Sequence, residues 1–284
     1  MNTLALKLIL TPALIGAASL AGRRWGPAIS GWLVGLPLTS GPIAFILAVT
    51  HGASFATATA TGILAGATSP ALFALVYAWV ARRYAWPATL AAALATYVAI
   101  TVALQLALSA RPLGLVPLYL LVVALLALML LLMPRPSAMP SALPSALPST
   151  PPATAKPSAL PWWDLPARML LATAFVLLLT GAAAQLGPQL TGLLAPFPLY
   201  ASILAVFAHQ QQGALAAVNV LRGLLLGMFS FASFFLTLGL LLVPAGIPIA
   251  FTAAIAVALA LQAAALWVLR HPRRPAFRTT SPTT

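Results

Sequence analysis

The 284 residues are 62% hydrophobic and only 5% charged, with a mean hydropathy of +1.04. Charged residues make up roughly a quarter of a soluble domain, so this composition excludes one and points to an integral membrane protein whose main partner is the lipid bilayer. Cysteine is absent and the one acid is Asp164, set against fourteen Lys and Arg. That rules out disulfides, thiolate nucleophiles and cysteine metal sites.

A net charge of +13 could suit a nucleic-acid partner. The basic residues, however, stand in short loops between apolar runs, as the positive-inside rule requires. No nucleic acid is expected.

A bilayer core takes about 20 helical residues per crossing. On that ruler nine spans are predicted, over roughly 4–22, 28–50, 53–81, 88–109, 113–133, 166–186, 189–209, 213–243 and 247–269. The first, with Lys7 ahead of an apolar run and small residues near Ala21, has the look of a signal peptide. Its counterpart later in the chain argues that it is retained. Between spans five and six, residues 134–164 repeat Pro-Ser-Ala-Met and Pro-Ser-Ala-Leu, a composition that favours an extended tether over a helix.

With nine crossings, one side of the membrane receives Arg23, Arg24, Arg82, Arg83, Arg135, Lys156, Arg168 and the cluster from Arg270 to Arg278, and the other only Lys7 and Arg111. The expected orientation is therefore an amino terminus outside and a carboxyl terminus in the cytoplasm. Ala/Leu richness and short loops suggest a bacterial inner membrane. Trp25, Trp86, Trp162, Trp163 and Trp267 flank the basic loops as interface anchors.

The two halves match at a fixed offset of 161 residues, the distance from Gly26 to Gly187. Gly26, Pro27, Gly31, Pro37, Gly52, Gly62, Gly66 and Pro87 fall on Gly187, Pro188, Gly192, Pro198, Gly213, Gly223, Gly227 and Pro248. Glycines and prolines mark backbone geometry, so the matches indicate a duplication. Four spans match four spans, and an odd number of crossings precedes the second set, which must therefore enter the membrane from the opposite side. Arg23–Arg24 and Arg82–Arg83 become Ala184–Gln185 and Val243–Pro244, as inversion demands.

The expected fold class is thus an all-α polytopic membrane protein, with about nine helices in a 4+1+4 arrangement of inverted-topology repeats. Its parts are a first repeat over 1–110, a connector helix over 111–133, the cytoplasmic linker 134–164, the inverted repeat over 165–270 and a basic tail over 271–284.

Two stretches interrupt spans two and seven, Pro37-Leu-Thr39-Ser40-Gly41-Pro42 and Pro196-Phe-Pro198-Leu-Tyr200-Ala-Ser202. Proline removes a donor and clashes with the preceding turn, and backbone freed this way must face protein or a water-filled cavity. Broken helices at matching places in two halves point to a solute site. A kink packed against neighbours is the alternative. Arg222, in span eight with Asn219 one turn earlier, is expected either to bind an anionic solute or to snorkel to the interface. His51 and His209, at the ends of spans two and seven, are candidates for proton coupling. Gly62-x-x-x-Gly66 and Gly223-x-x-x-Gly227 are close-packing patterns, which also admit a homo-oligomer.

A secondary transporter or permease of a small solute, an anionic one included, is the reading these features favour, working by alternating access. A substrate-free scaffold or assembly protein is the first alternative. A membrane enzyme is the weaker one, since no acid–base pair, metal cluster or nucleophile is at hand. No cofactor and no metal are expected. The plan resembles inverted-repeat carriers in architecture alone.

Overall fold

A computed structural model describes residues 36–134 and 164–270, together with Ile9, Pro12, Ala13, Gly16 and Leu20. Most of the first span, the basic loop at Arg23–Arg24, the proline-rich linker up to residue 163 and the tail beyond Arg270 lie outside the described residues. Among those that are described, every regular element is a helix. They are α1 (Ser40–His51), α2 (Ala53–Gly66), α3 (Thr68–Val80), α4 (Trp86–Ala110), α5 (Leu115–Leu132), α6 (Asp164–Gly181), α7 (Ala183–Leu194), α8 (Leu199–Gln212) and α9 (Ala214–Arg270).

Four runs are long and apolar enough to cross a membrane: Ala53–Val80, Trp86–Ala110, Leu115–Leu132 and Ala214–Ala264. A fifth is reached if α7 and α8, bent by 40° at their junction, count as one. This is consistent with an integral membrane protein. The outward faces agree, since Val98, Val102 and Leu106 stand exposed at helical spacing on α4, while Ala93, Tyr97 and Thr101 face inward. A helix that is apolar on both faces suits lipid on one side and protein on the other.

Tight reversals at glycine connect the helices. Gly52 (φ 88°, ψ 168°) joins α1 to α2, and Gly213 (φ 86°, ψ 175°) joins α8 to α9. This corner of backbone space is essentially closed to residues with a Cβ. Gly246 adopts it inside α9 (φ 79°, ψ 170°). Phe251 is 17 positions beyond Phe234 in the chain, which a straight helix would turn into about 25 Å. Their ring centroids are 6.2 Å apart, and Phe251 also meets Phe45 edge-on at 5.2 Å. The chain therefore doubles back at Gly246, and α9 is two antiparallel helices, 214–245 and 247–270.

The run formed by α2 and α3 is the centre of the bundle. Of its most apolar window 72% is buried, against 17% for α4 and 22% for α5. Its neighbour is the bent pair α7–α8. A Cβ placed on Gly62 would stand 2.6 Å from the Gln189 carbonyl and 3.1 Å from Gly192 Cα, and one on Gly66 would meet Leu193 and Pro196 at 3.0 Å. Further along, the Tyr77 hydroxyl lies 3.3 Å from His209 Nδ1. Residue numbers rise together on both partners, so α2–α3 and α7–α8 run side by side in the same direction. Of the glycines expected to allow close approach, Gly62 and Gly66 do so here, between the two halves of the chain.

Candidate functional site

The chain is non-helical over residues 36–39, ahead of α1, and again over 195–198, between α7 and α8. Proline at 37, 196 and 198 accounts for both. The two places share their local bonds. Leu38 N–H donates to the Leu36 carbonyl at 2.7 Å, and Leu199 N–H to that of Phe197 at 2.8 Å. Each encloses a proline in a three-residue turn, with Pro198 at φ −79°, ψ 48°, close to the inverse γ-turn. One step on, Gly41 N–H donates to the Pro37 carbonyl and Ser202 N–H to that of Pro198, both at 2.8 Å. All four donor and acceptor positions correspond at the 161-residue offset.

An interrupted helix leaves backbone groups without their usual partners, and burial makes that costly. Here side chains from other helices take over. The Ser40 hydroxyl, at the start of α1 and only 1% exposed, donates to the Ala195 carbonyl at 3.0 Å. Tyr97 of α4 reaches the Leu193 carbonyl at 3.5 Å. Phe197 is held between the Tyr97 ring (centroids 5.3 Å, edge-on) and the Phe175 ring (5.7 Å). The first interruption is thus tied to the second by a hydrogen bond that crosses from one half to the other.

Between them lies a cavity of about 50 Å³. Thr39, Ser40, Pro196, Pro198 and Tyr200 line it, five of the residues singled out in the sequence. Leu36, Leu38, Phe197 and Ala201 complete the walls contributed by the interruptions, and Pro70, Leu224, Met228 and Phe231 close it from α3 and α9. The lining is itself paired at the common offset: Leu36 with Phe197, Thr39 with Tyr200, Ser40 with Ala201, Pro70 with Phe231.

The other predicted residues stand elsewhere. Pro37, Gly41, Pro42 and Ser202 build the two helix starts without lining the cavity; the Ser202 hydroxyl donates to the Pro198 carbonyl at 2.7 Å. Asn219 is exposed and Arg222 half-buried, and neither lines the cavity. Leu224, Met228 and Phe231 form the inward stripe of α9 at spacings of four and three. Arg222, two residues before that stripe begins, falls about 200° away from Leu224 on the helix. His51 is exposed, with Nδ1 2.8 Å from the Thr50 hydroxyl and its ring against Phe55. His209 is joined to the fully buried Tyr77 of the other half, away from the cavity.

Among the described residues, no charged side chain lines the cavity. An ion stripped of water in such surroundings costs several kcal/mol even after relaxation. A helix amino end contributes about 0.3–1 kcal/mol towards an anion, and up to about 2 kcal/mol where partly buried. The starts of α1 and α8 together at best match that cost. Hydroxyls and amides here can hold an oxygen acceptor, and the walls can hold a small apolar body.

Sequence reasoning missed Tyr97, Pro70 and the Leu224-Met228-Phe231 stripe. The Pro70–Phe231 pairing was accessible through the repeat, whereas nothing in the sequence marks Tyr97 as the group that caps a carbonyl 96 positions later. Among the described residues there is no cluster of His, Cys, Asp and Glu that could hold a metal. Comparison of the chain with protein-family models, with curated proteins and with solved structures returns no match.

Proposed function

We propose that the chain is a secondary transporter or permease of a small solute, bound between two proline-broken helices and released by alternating access. The observation that carries this is the convergence of both interruptions, equivalent bond for bond at one sequence offset, on a single cavity. A kink that merely packs would need neither a partner at the matching place nor a space between the two.

The inverted repeat is part of the proposal, and helix directions support it. The tight turn at Gly52 packs α1 back along α2, α2 runs with α7, and α7 continues into α8 across a 40° bend. Spans two and seven, equivalent in sequence, therefore run in opposite senses. Nine crossings follow if 214–245 and 247–270 are separate spans, if the α7–α8 pair and α6 each cross, if α1 continues a second span whose first half precedes residue 36, and if the first span over 4–22 crosses ahead of it. Counting outward from a cytoplasmic Arg82, the Tyr77–His209 contact joins two cytoplasmic ends, and the Gln189–Gln105 bond at 3.1 Å joins two outer ends. A bacterial inner membrane with the termini on opposite sides completes the reading.

The chain has no cysteine, so single cysteines can report accessibility without background. Thr39→Cys in proteoliposomes is expected to react with impermeant thiol reagents from both faces of the membrane. Reaction from one face only, under every condition and alongside an absence of solute flux, overturns the transporter reading in favour of a scaffold. Reporter fusions placing both termini in one compartment overturn the nine-span topology.

A further inference from the structure

We infer that the cavity between the two interruptions selects a small uncharged solute, with an apolar body and one hydrogen-bond acceptor, and excludes ions of either sign. This rests on the transporter reading for its role but on the cavity itself for its chemistry. Most of the wall is hydrocarbon: Leu36, Leu38, Phe197, Leu224, Met228 and Phe231. Three lining residues are prolines, Pro70, Pro196 and Pro198, which offer no N–H. The polar groups gather at one place, the starts of α1 and α8. There the Thr39 hydroxyl is a donor suited to a carbonyl or hydroxyl oxygen.

A cation has no carboxylate to pair with, since the sequence holds a single acid, Asp164, which is not among the residues lining the cavity. Among the described residues the basic side chain nearest the lining in sequence is Arg222, and α9 turns it to the side opposite the stripe it contributes to the cavity. Size sets the remaining limit. A cavity of about 50 Å³ suits a small molecule.

Acetamide, acetate and acetamidinium are nearly identical in shape and carry zero, negative and positive charge. Saturation-transfer NMR on the purified full-length protein is expected to detect saturable binding of acetamide, and at least tenfold weaker binding of the two ions. Met228→Trp, which fills the cavity, should abolish acetamide binding. Met228→Ala, which enlarges it, should shift the preference to propionamide, so the conclusion does not hang on one variant folding. Equal or tighter binding of acetate or acetamidinium overturns the inference, as does an absence of acetamide binding or binding indifferent to both Met228 changes. Proteoliposome swelling separates the inference from the reading beneath it. Acetamide that binds without any protein-dependent swelling leaves the selectivity standing and removes transport. Protein-dependent uptake of the ions instead leaves transport standing and removes the selectivity.

Discussion

Two contacts join the halves of this chain within a few residues of one another, and they are built in opposite ways. Where Gly62 meets Gly192, backbone lies on backbone with no room for a methyl group. Where Ser40 meets Ala195, one hydrogen bond spans the rim of an open cavity. In a membrane the hydrophobic effect gives helices no reason to associate, so close packing and interhelical hydrogen bonds must hold them. The glycine contact supplies the first over a broad area and fixes the register of α2 on α7. The serine contact supplies a single bond that can be broken and remade at small cost. On the proposed alternating access, the firm contact serves as the pivot and the cavity edge as the part that moves.

The sharpest way to break that contrast is to fill the glycine contact. In Gly192→Ala the new methyl would sit 2.8 Å from both Gly62 Cα and Ile63 N, which are backbone and cannot step aside. Overpacking of this kind costs about 1–3 kcal/mol and sometimes more, and a value at or above the top of that range is expected in detergent unfolding. Gly62→Ala should follow, and Gly66→Ala should be the mildest of the three, its closest contacts being at 3.0 Å.

Next come the turns. Gly52→Ala and Gly213→Ala force a Cβ into the same closed region of backbone space, where about 1–3 kcal/mol is lost. Equal losses at the two positions, measured as midpoint shifts in thermal unfolding, would sharpen the equivalence of the halves.

Ser40→Ala tests the movable side. It should cost about 1 kcal/mol of stability while changing the rate of solute flux severalfold. A large stability loss with unchanged flux would assign Ser40 to the scaffold instead. The smallest effect is expected at Arg222→Ala, within about 0.5 kcal/mol as for surface changes generally, and with acetamide binding altered less than twofold. Abolished binding there would return Arg222 to the site.

Much of this was legible in the sequence because glycine and proline report backbone geometry directly. Pro37 and Pro198 announce the two interruptions, and the Gly52–Gly213 match anticipates reversals whose φ angles differ by two degrees. Thr39, Ser40, Pro196, Pro198 and Tyr200 could be placed at one cavity for the same reason. Arg222 and Asn219 were harder. Depth along a span says nothing of which way a side chain faces, and only the position of the Leu224-Met228-Phe231 stripe decides it. Tyr97 was invisible because a carbonyl's need for a donor appears only once the break has been folded against α4.

The parallel alignment of α2 with α7 carries a consequence for how the molecule is made. Parallel neighbours cannot be formed by a local hairpin, and 130 residues of chain separate Gly62 from Gly192. Ribosomes extend a chain by about 5–20 residues per second, so Gly62 waits roughly 6–26 seconds for the backbone it must lie against. During that interval the first half stands in the insertion machinery with its smallest, most adhesive face uncovered, and its assembly is completed by the last third of translation.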